Sequence, residues 1–481
     1  MEFVIILLSL CLLMFVAYRG FSVILFAPIC ALFAVLLTDP HYVLPFFSNI
    51  FMEKMVGFIK SYFPVFLLGA IFGKVVEMSG IAASIARTIA RLVGAKRAML
   101  AIVLLGAILT YSGVSLFVVV FAVYPFAANL FREANIPKRL IPGTIALGAF
   151  TFTMDALPGT PQIQNVIPTT FFKTDIYAAP VLGIIGGLFI LAAGMVYLER
   201  QRKKAAARGE GYTGFGGELA AGNSGTAARL PEEEGSGLPA EEESTARKIL
   251  AFVPLILVGV TNKLFTINIP KWYPDGFDFS AIGLSTVVKL ETPAVVAIWS
   301  VEMALAIGII AALLFDWKRV TTDFQAGLNL SIGGALLAVM NTAAEYGFGG
   351  VISSLPGFTA VSKGISETFT NPLVNGAITT TALAGVTGSA SGGMGIALAA
   401  MSDKYIAAIN ELNIPPEVMH RVISMASGGM DTLPHNGAVI TLLAVTGLTH
   451  RQSYKDIFAI TILKTLTVFL IIGLYSLTGW R

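Results

Sequence analysis

The sequence predicts an all-α polytopic membrane protein built from two inverted-topology repeats, each with a re-entrant helical hairpin and a broken transmembrane helix. Apolar residues make up 55% of the 481 residues and charged residues 13%, with a mean hydropathy of +0.78, whereas soluble proteins carry about 25% charged residues. The sequence Met-Asp-x-Leu-Pro occurs at 154–158 and again at 430–434, each time downstream of an Asn-Ile-Pro. An internal repeat that interrupts a hydrophobic segment in both halves is typical of secondary transporters.

Composition also excludes several classes of protein. The net charge of +3 is too small to indicate nucleic-acid binding, and the sequence has no basic soluble domain for such a partner. Cys11 and Cys30 both lie in apolar runs, so we expect no disulfide framework, no metal site and no cofactor. The first apolar run follows only Met1 and Glu2, without a basic region or a cleavage site, and is predicted to be a retained helix.

The crossing helices are predicted from hydrophobic runs and their orientation from charge. Eight runs are each about long enough to span a bilayer: 3–18, 21–37, 61–79, 176–198, 248–266, 293–315, 324–345 and 454–478. Because segments rich in Lys and Arg stay in the cytoplasm, residues 80–97, the basic stretch 200–208 and Lys318-Arg319 are assigned to that side.

The zone 98–131 is predicted to be the first re-entrant hairpin. Basic residues flank it on both sides, with Lys138-Arg139 following it, so it must begin and end in the cytoplasm. Its 34 residues are too many for one span of about 20 residues and too few for two spans with a turn. Small polar residues at 111–115 mark its tip. Segment 140–172 then crosses outward as a helix broken at 155–165.

The same order returns in the second half, in the opposite orientation. Residues 371–409 form the second predicted hairpin, with its tip at the polar stretch 387–393. Segment 418–448 then crosses as a helix broken at 431–437. The prediction totals ten crossings and two hairpins, with both chain termini outside.

Residues 200–247 form the one long hydrophilic stretch of the sequence. It begins basic, becomes rich in Gly and Ala, and carries two acidic clusters. Low hydrophobicity and runs of like charge predict disorder. This stretch is therefore predicted to be a disordered cytoplasmic linker between a first membrane repeat at 1–199 and a second at 248–481.

The two tips and two breaks are predicted to converge on a substrate site. Half-helix N-termini at such interruptions present free N–H groups and the positive end of a dipole, which suit a carboxylate. Neither tip nor break contains Arg or Lys, so we expect an anion to be recognised by dipoles, hydroxyls and amides. The alternative is that small residues only let helices pack closely and that polar ones cap the broken backbone. The candidate substrate-binding residues are Ser112, Gly113, Ser115, Thr160, Gln162, Asn165, Ser389, Ser391, Gly392, Thr432, His435 and Asn436.

The candidates for proton coupling are Asp155, Asp431, His435 and Glu302. A charged side chain at the bilayer centre costs about 2.5–3.5 kcal/mol on insertion scales, and residues of this kind tend to be functional. Removal from water favours a protonated carboxyl, and histidine titrates near neutral pH. Two alternatives remain open: the aspartates cap the second half-helices, and Glu302 makes a hydrogen bond at a subunit interface.

With these features the chain resembles the gluconate:proton symporter family of the larger ion-transporter superfamily. The resemblance rests on the Met-Asp-x-Leu-Pro breaks at 154–158 and 430–434, the Asn-Ile-Pro sequences at 135–137 and 413–415, and the Ser- and Gly-rich tips; it covers nearly the whole chain outside 200–247. It implies proton-coupled import of gluconate or another small hydroxy acid by a homodimer in the bacterial cytoplasmic membrane. It also implies an elevator motion, in which hairpins and broken helices move together against a scaffold.

Rival functions predict other sequence features. Relatives that carry dicarboxylates with sodium typically have Ser-Asn-Thr at both tips, where this chain has Tyr-Ser-Gly-Val-Ser and Gly-Ser-Ala-Ser-Gly. A sodium-coupled carboxylate transporter is the first alternative, followed by a permease for hydroxybutyrate-like acids or D-amino acids. An intramembrane serine protease would use Ser391 as nucleophile and His435 as base, yet the first half duplicates the tip and break without a histidine. A channel would need a repeated ring of pore-lining charge, so we expect neither an enzyme nor a channel.

Overall fold

Helices make up most of the chain in the computed structural model, which describes residues 2–19, 21–94, 97–114, 116–214, 244–284, 289–322, 324–358, 364, 368–434 and 436–481. Within these ranges, extended backbone is paired only in two isolated bridges, Gly211 with Gly214 and Phe277 with Leu290. The predicted all-α class is confirmed.

The helices follow the order that the sequence predicts. Those of the first half are α1 Glu2–Tyr18, α2 Val23–Thr38, α3 Met52–Met78, α4 Ile81–Val93, α5 Ala98–Tyr111, α6 Leu116–Glu133, α7 Ile141–Ala149, α8 Phe152–Asp155, α9 Ile163–Phe172 and α10 Pro180–Ala207. Those of the second half are α11 Thr245–Leu250, α12 Val253–Trp272, α13 Thr292–Phe315, α14 Trp317–Thr322, α15 Phe324–Ser354, α16 Pro372–Thr387, α17 Ala390–Glu411, α18 Pro416–Ser427, α19 Gly437–Thr446 and α20 His450–Thr478.

Six of the described helical segments are long and apolar enough to cross a membrane: Pro40–Met78, Pro180–Ala207, Thr245–Trp272, Val295–Phe315, Phe324–Ser354 and His450–Thr478. Helices α1 and α2 are shorter, and two further segments are interrupted by breaks. Together these elements account for the predicted crossings of a multi-pass membrane protein.

One element boundary in the first half differs from the prediction. The third crossing starts at Pro40 instead of residue 61 and includes a π-helical turn at Phe46–Phe51; charged residues between 53 and 60 interrupt the apolar run there. The basic stretch 80–97, which its charge assigns to the cytoplasm, contains the helix α4. Its Ile81, Ile85 and Ile89 are buried, which is the spacing of one apolar helix face.

The predicted linker begins later than residue 200. Helix α10 continues to Ala207, because residues 200–207 are strong helix formers and Arg202 hydrogen-bonds Glu199 at 2.9 Å. Beyond it, Glu210 accepts two hydrogen bonds from Arg139, at 2.6 and 3.0 Å. Arg139 also donates to Asp456 of α20 at 3.3 Å. Residues 200–214 and 244–247 thus belong to the folded part of the chain, since α11 begins at Thr245, while residues 215–243 lie outside the described residues.

Both predicted hairpins are present. Hairpin 1 consists of α5 and α6, with its described turn at Ser112–Val114, and hairpin 2 consists of α16 and α17, which are joined at Gly388 and Ser389. Each turn needs a left-handed backbone: Gly113 has φ 93° and Gly388 has φ 66°. Glycine adopts this region without steric cost, so the glycines in the two tips permit the reversal.

Both predicted breaks are present as well. In break 1 the helix stops at Asp155 and resumes at Ile163; in break 2 it stops at Ser427 and resumes at Gly437. Prolines lie inside both interruptions and lack the N–H that would continue a helix. The polar residues named from the sequence therefore lie where the backbone is irregular.

The two halves pack reciprocally. Helix α9 of break 1 packs against α17 of hairpin 2, and α19 of break 2 packs against α6 of hairpin 1. Equivalent helices also meet each other, α3 with α15 and α10 with α20. This pattern is expected for two repeats related by a pseudo-two-fold axis, and it brings all four interruptions into one region.

Hairpin 2 depends on close approach of its arms at Gly393. A Cβ at this position would lie closer than 3.0 Å to backbone atoms of Ala384 and Leu383, and backbone cannot move aside as a side chain can. We expect Gly393→Ala to destabilise the protein by about 1–3 kcal/mol through overpacking, measured as a lower midpoint of thermal unfolding in detergent. Gly333→Ala is the control, because a Cβ there meets nothing within 4 Å. Equal midpoints for the two variants would contradict close packing of the arms.

Candidate functional site

Break 1 holds the tip of hairpin 1 through a side-chain amide. Gln162 is the N-cap residue of α9, and its Nε2 donates to the carbonyl oxygens of Thr110 at 2.6 Å and Val114 at 3.2 Å. These carbonyls end the first arm of the hairpin and precede its second arm. We call this contact latch 1.

Break 2 holds the tip of hairpin 2 in the same way. Asn436 is the N-cap residue of α19, and its Oδ1 accepts from the Val439 N–H at 2.8 Å. Its Nδ2 donates to the carbonyl oxygen of Gly388 at 2.7 Å. We call this contact latch 2. In each repeat a latch therefore brings together the N-terminal end of a broken half-helix and that of a hairpin's second arm.

The predicted tip residues contact protein in this arrangement. Ser112 Oγ donates to the Ile108 carbonyl at 2.7 Å, and a Cβ at Gly113 would meet Pro161 of break 1 and Leu305 of α13. At the second tip, Ser389 Oγ accepts from the Gly392 N–H at 3.0 Å. Ser391 Oγ lies 3.2 Å from Thr342 Oγ1 of α15. Ser115 lies outside the described residues.

Several polar atoms near latch 1 are buried without a hydrogen-bond partner. They are Thr110 Oγ1, Thr160 Oγ1 and Gln164 Oε1. Buried polar atoms normally find a partner, so these atoms mark a place where the protein does not satisfy itself. Among the candidates of break 2, Thr432 hydrogen-bonds the hydroxyl of Thr461 on α20, and His435 lies outside the described residues.

Asn165 instead joins the two breaks. Its Nδ2 donates to the carbonyls of Thr160 at 2.9 Å and Ile176 at 2.8 Å. Its Oδ1 must therefore be the acceptor for His420 Nε2, 3.2 Å away. This assigns the proton to Nε2 and leaves Nδ1 to accept from Thr174 Oγ1 at 2.6 Å. Asn165 and His420 are thus both fully engaged inside the protein.

Arg421 supplies the largest set of contacts to break 1. It is fully buried and makes five hydrogen bonds: to the carbonyls of Ala178 (3.1 and 2.7 Å), Asp155 (3.1 Å) and Ile176 (3.5 Å), and to Asn165 Oδ1 (3.0 Å). A broken helix leaves carbonyls that lipid cannot satisfy, and the rigid guanidinium fork suits several acceptors at once. Arg421, which belongs to the second repeat, therefore supplies hydrogen-bond donors to the backbone carbonyls of break 1 in the first repeat.

Asp155 and Asp431 meet at Lys464 of α20. Lys464 Nζ lies 3.2 Å from Asp431 Oδ1 and 4.0 Å from Asp155 Oδ2, and it donates to the Phe150 carbonyl at 2.7 Å. Asp155 and Lys464 are each 2% exposed and Asp431 is 8% exposed. The two predicted aspartates are thus brought together, one from each repeat, around a shared ammonium group.

Glu302 lies apart from this group. It is half-buried on α13, three residues before Leu305, whose side chain faces Gly113 at the first tip. Among the described residues, no group of three or more His, Cys, Asp or Glu side chains has the arrangement of a metal site.

Sequence reasoning missed Arg421, His420 and Lys464, and Glu345 of α15 was not among the predicted site residues. The available signal was an ionisable residue inside an apolar crossing helix, as Lys464 is within Ile457–Leu474. The side chains of Arg421 and Lys464 hydrogen-bond acceptors within the protein, so neither offers a free charge to a substrate carboxylate.

A cavity of about 530 Å³ opens away from the latches. It lies between the start of hairpin 1 and the end of α10, and its lining includes Arg97, Arg200, Arg202 and Lys203. No residue of either tip lines this cavity. The cavity is therefore separate from the predicted site at the tips.

Comparison with known proteins adds two findings. The chain matches no family model. It is 74% identical over 480 residues, with complete coverage of both chains, to a Bacillus subtilis (strain 168) protein described as the uncharacterized transporter YxjC. Its fold is similar to the crystal structure of the Alcanivorax borkumensis YdaH transporter, whose topology was described as unusual: the TM-score is 0.54 at 14% identity, over 91% of this chain and 90% of that one. At this identity the second likeness shows the fold alone.

Proposed function

This chain belongs to the family of the Bacillus subtilis transporter YxjC, and on that premise we propose that it imports a small hydroxy acid or sugar acid, such as gluconate, together with protons. The proposed location is the bacterial cytoplasmic membrane. A membrane transporter is what family membership and the crossing helices support; the substrate class, the coupling proton and the mechanism are the proposal.

The observation that carries the proposal is the pair of latches. Through Gln162 in one repeat and Asn436 in the other, each latch draws two helix N-termini together. Such ends present N–H groups without intrahelical acceptors and the positive end of the helix dipole. A carboxylate is the group that this environment stabilises, which favours an organic acid over a neutral or cationic substrate.

The unpaired polar atoms support a hydroxylated acid in particular. Thr110 Oγ1, Thr160 Oγ1 and Gln164 Oε1 lack partners beside latch 1. A substrate with several hydroxyl groups would donate to and accept from such atoms. A site whose buried polar atoms need a substrate hydroxyl discriminates strongly against analogues that lack it, so we propose that these atoms select for hydroxylated acids.

The aspartates at the breaks suit a structural role in this scheme. Asp155 and Asp431 share Lys464, and Arg421 lies next to the Asp155 backbone. Two acidic and two basic groups balance in charge. We propose that this group holds the two breaks together, while a proton is carried elsewhere.

The proposed mechanism is an elevator, and the proposed assembly is a homodimer. The latches and the reciprocal packing tie hairpins and breaks into one unit, which supports movement of that unit as a whole. Crosslinking of single-cysteine variants in membranes tests the dimer.

The test of function is uptake of labelled gluconate into proteoliposomes under an inward proton gradient without sodium. We expect accumulation that a protonophore abolishes, because the gradient is the only energy source. Uptake that requires sodium would move the chain to sodium-coupled carboxylate transport. Absence of uptake under both conditions would exclude gluconate, and hydroxybutyrate and D-serine would be the next substrates in the same assay.

A further inference from the structure

Glu345 is a buried carboxyl that neither the predicted site nor the proposed function uses. It lies on α15 and is 3% exposed. Its Oε2 has no hydrogen-bond partner, and no ion pair between described residues includes it. A carboxylate is rarely buried without a cation or a full set of hydrogen bonds. An uncompensated carboxyl in a transporter core therefore needs an explanation.

The carboxyl of Glu345 faces the tip of hairpin 2. A Cβ added at Gly392, in the first turn of α17, would overlap it, and the Ser389 hydroxyl lies beside it. One turn earlier on α15, Thr342 Oγ1 lies 3.2 Å from Ser391 Oγ. Glu345 thus occupies the N-terminal end of α17, which is one of the two helix ends that latch 2 brings together.

No described residue at the first tip corresponds to Glu345. Helix α3, the counterpart of α15, presents Gly69 to the first tip, where a Cβ would lie 3.8 Å from the Gly113 carbonyl oxygen. The acidic residue toward the end of α3 is Glu77, which is 39% exposed and paired with Lys74 at 2.9 Å. Among the described residues around the two tips, the buried carboxyl without an ion pair is Glu345 at the second tip.

The lysines of α3 that contact α15 do so away from Glu345, and Ser389 is the polar group that interacts with its carboxyl. From α3, the carbons of Lys54 lie against Gly350 and those of Lys74 lie near Gly327. From α2 the one ionisable side chain is Cys30, and the segment Phe46–Phe51 has none. On α17, Asp403 lies about three turns beyond the tip. The ring of the neighbouring Tyr346 lies in tilted contact with the rings of Phe58 and Phe171. Within the described residues, no other charge faces the Glu345 carboxyl.

We propose that Glu345 carries the coupling proton by competing with the substrate carboxylate for the N-terminal end of α17. While Glu345 is ionised, its carboxylate occupies the N-terminal end of α17 and repels the carboxylate of the substrate. When a proton from the outside converts Glu345 to the neutral acid, the substrate carboxylate binds at this helix end. On the inside the substrate leaves, and the proton is released as Glu345 ionises again. The inference rests on the proposed function, since it requires that the substrate be an acid.

The test uses Glu345→Gln in proteoliposomes, with the first acid that the wild-type protein accumulates under a proton gradient. Glutamine resembles the neutral acid and cannot release a proton. We expect the variant to exchange labelled for unlabelled substrate across the membrane but to lose all accumulation driven by the proton gradient. Glu77→Gln, the same change on the corresponding helix of the other repeat, should behave as wild type in both assays.

The pH dependence of substrate affinity in the wild-type protein tests the inference even if the Glu345→Gln variant misfolds. Competition predicts that the affinity for the substrate anion falls as pH rises, by about tenfold per pH unit at the steepest, with no effect of sodium. Gradient-driven accumulation by Glu345→Gln, or a wild-type affinity that is flat with pH, would overturn the inference. So would an affinity that depends on sodium instead of pH. If the wild-type protein accumulates none of the acids, the proposed function itself fails.

Discussion

Replacing Lys464 with methionine is expected to destabilise the protein by about 3–5 kcal/mol, because it leaves two buried carboxylates without their shared counter-charge. The ammonium group lies 3.2 Å from Asp431 and 4.0 Å from Asp155, and α20 provides no second base at this depth. The measurement is the midpoint of thermal unfolding of the purified variant in detergent. We expect a large drop in that midpoint and a poor yield of folded protein.

Two further variants serve as a control and as a test of the charge explanation. Lys271→Met removes an exposed lysine near the end of α12 and should leave the midpoint unchanged. Adding Asp431→Asn to Lys464→Met removes one of the uncompensated charges and should recover part of the lost stability. If Lys464→Met is as stable as the wild type, the interactions of Lys464 with the two aspartates do not hold the two breaks together.

Replacing Arg421 with methionine is expected to cost about 3 kcal/mol or more, because buried acceptors in break 1 lose their donors. The Ala178 carbonyl depends most on this residue, since it accepts two of the five hydrogen bonds, at 3.1 and 2.7 Å. The Asp155 carbonyl keeps Ser424 as a second donor, at 2.8 Å. Thermal unfolding in detergent measures the loss, and transport should fall with it because break 1 loses its shape.

The chemistry of the guanidinium predicts the pattern among variants. Arg421→Lys should recover only part of the stability, since an ammonium group lacks the planar fork that reaches several carbonyls. Arg200→Met removes an exposed arginine of α10 and serves as the control. Full stability of Arg421→Lys would mean that positive charge alone, rather than the hydrogen-bond pattern, supports break 1.

The sequence predicted the hairpins and breaks to within a few residues. The length of 98–131 and its flanking charges indicated hairpin 1, observed as Ala98–Tyr111 and Leu116–Glu133. Glycines and prolines marked the tips and breaks because these residues fix where a helix cannot continue. Such signals are local in the chain, and so they can be read without the structure.

Partnerships across the two repeats could not be read in this way. Nothing in the sequence around Arg421 indicates that its guanidinium reaches the carbonyl of Ala178, more than two hundred residues earlier. Likewise, Gln162 and Asn436 were predicted as substrate ligands from their polarity, whereas the latches that they form appear only in three dimensions. Whether either amide also touches a substrate stays a prediction.

The asymmetry between the tips, with Glu345 at one and Gly69 at the other, has an energetic consequence. If Glu345 is the coupling carboxyl, as we propose, one proton accompanies each substrate, and a proton that accompanies a monovalent acid anion moves no net charge. Membrane voltage, worth about 2.3 kcal/mol per elementary charge at 100 mV, then contributes nothing to uptake. The concentration ratio that the cell can sustain is set by the difference in pH alone, and a cell with a strong voltage but equal pH on both sides would gain no acid through this protein.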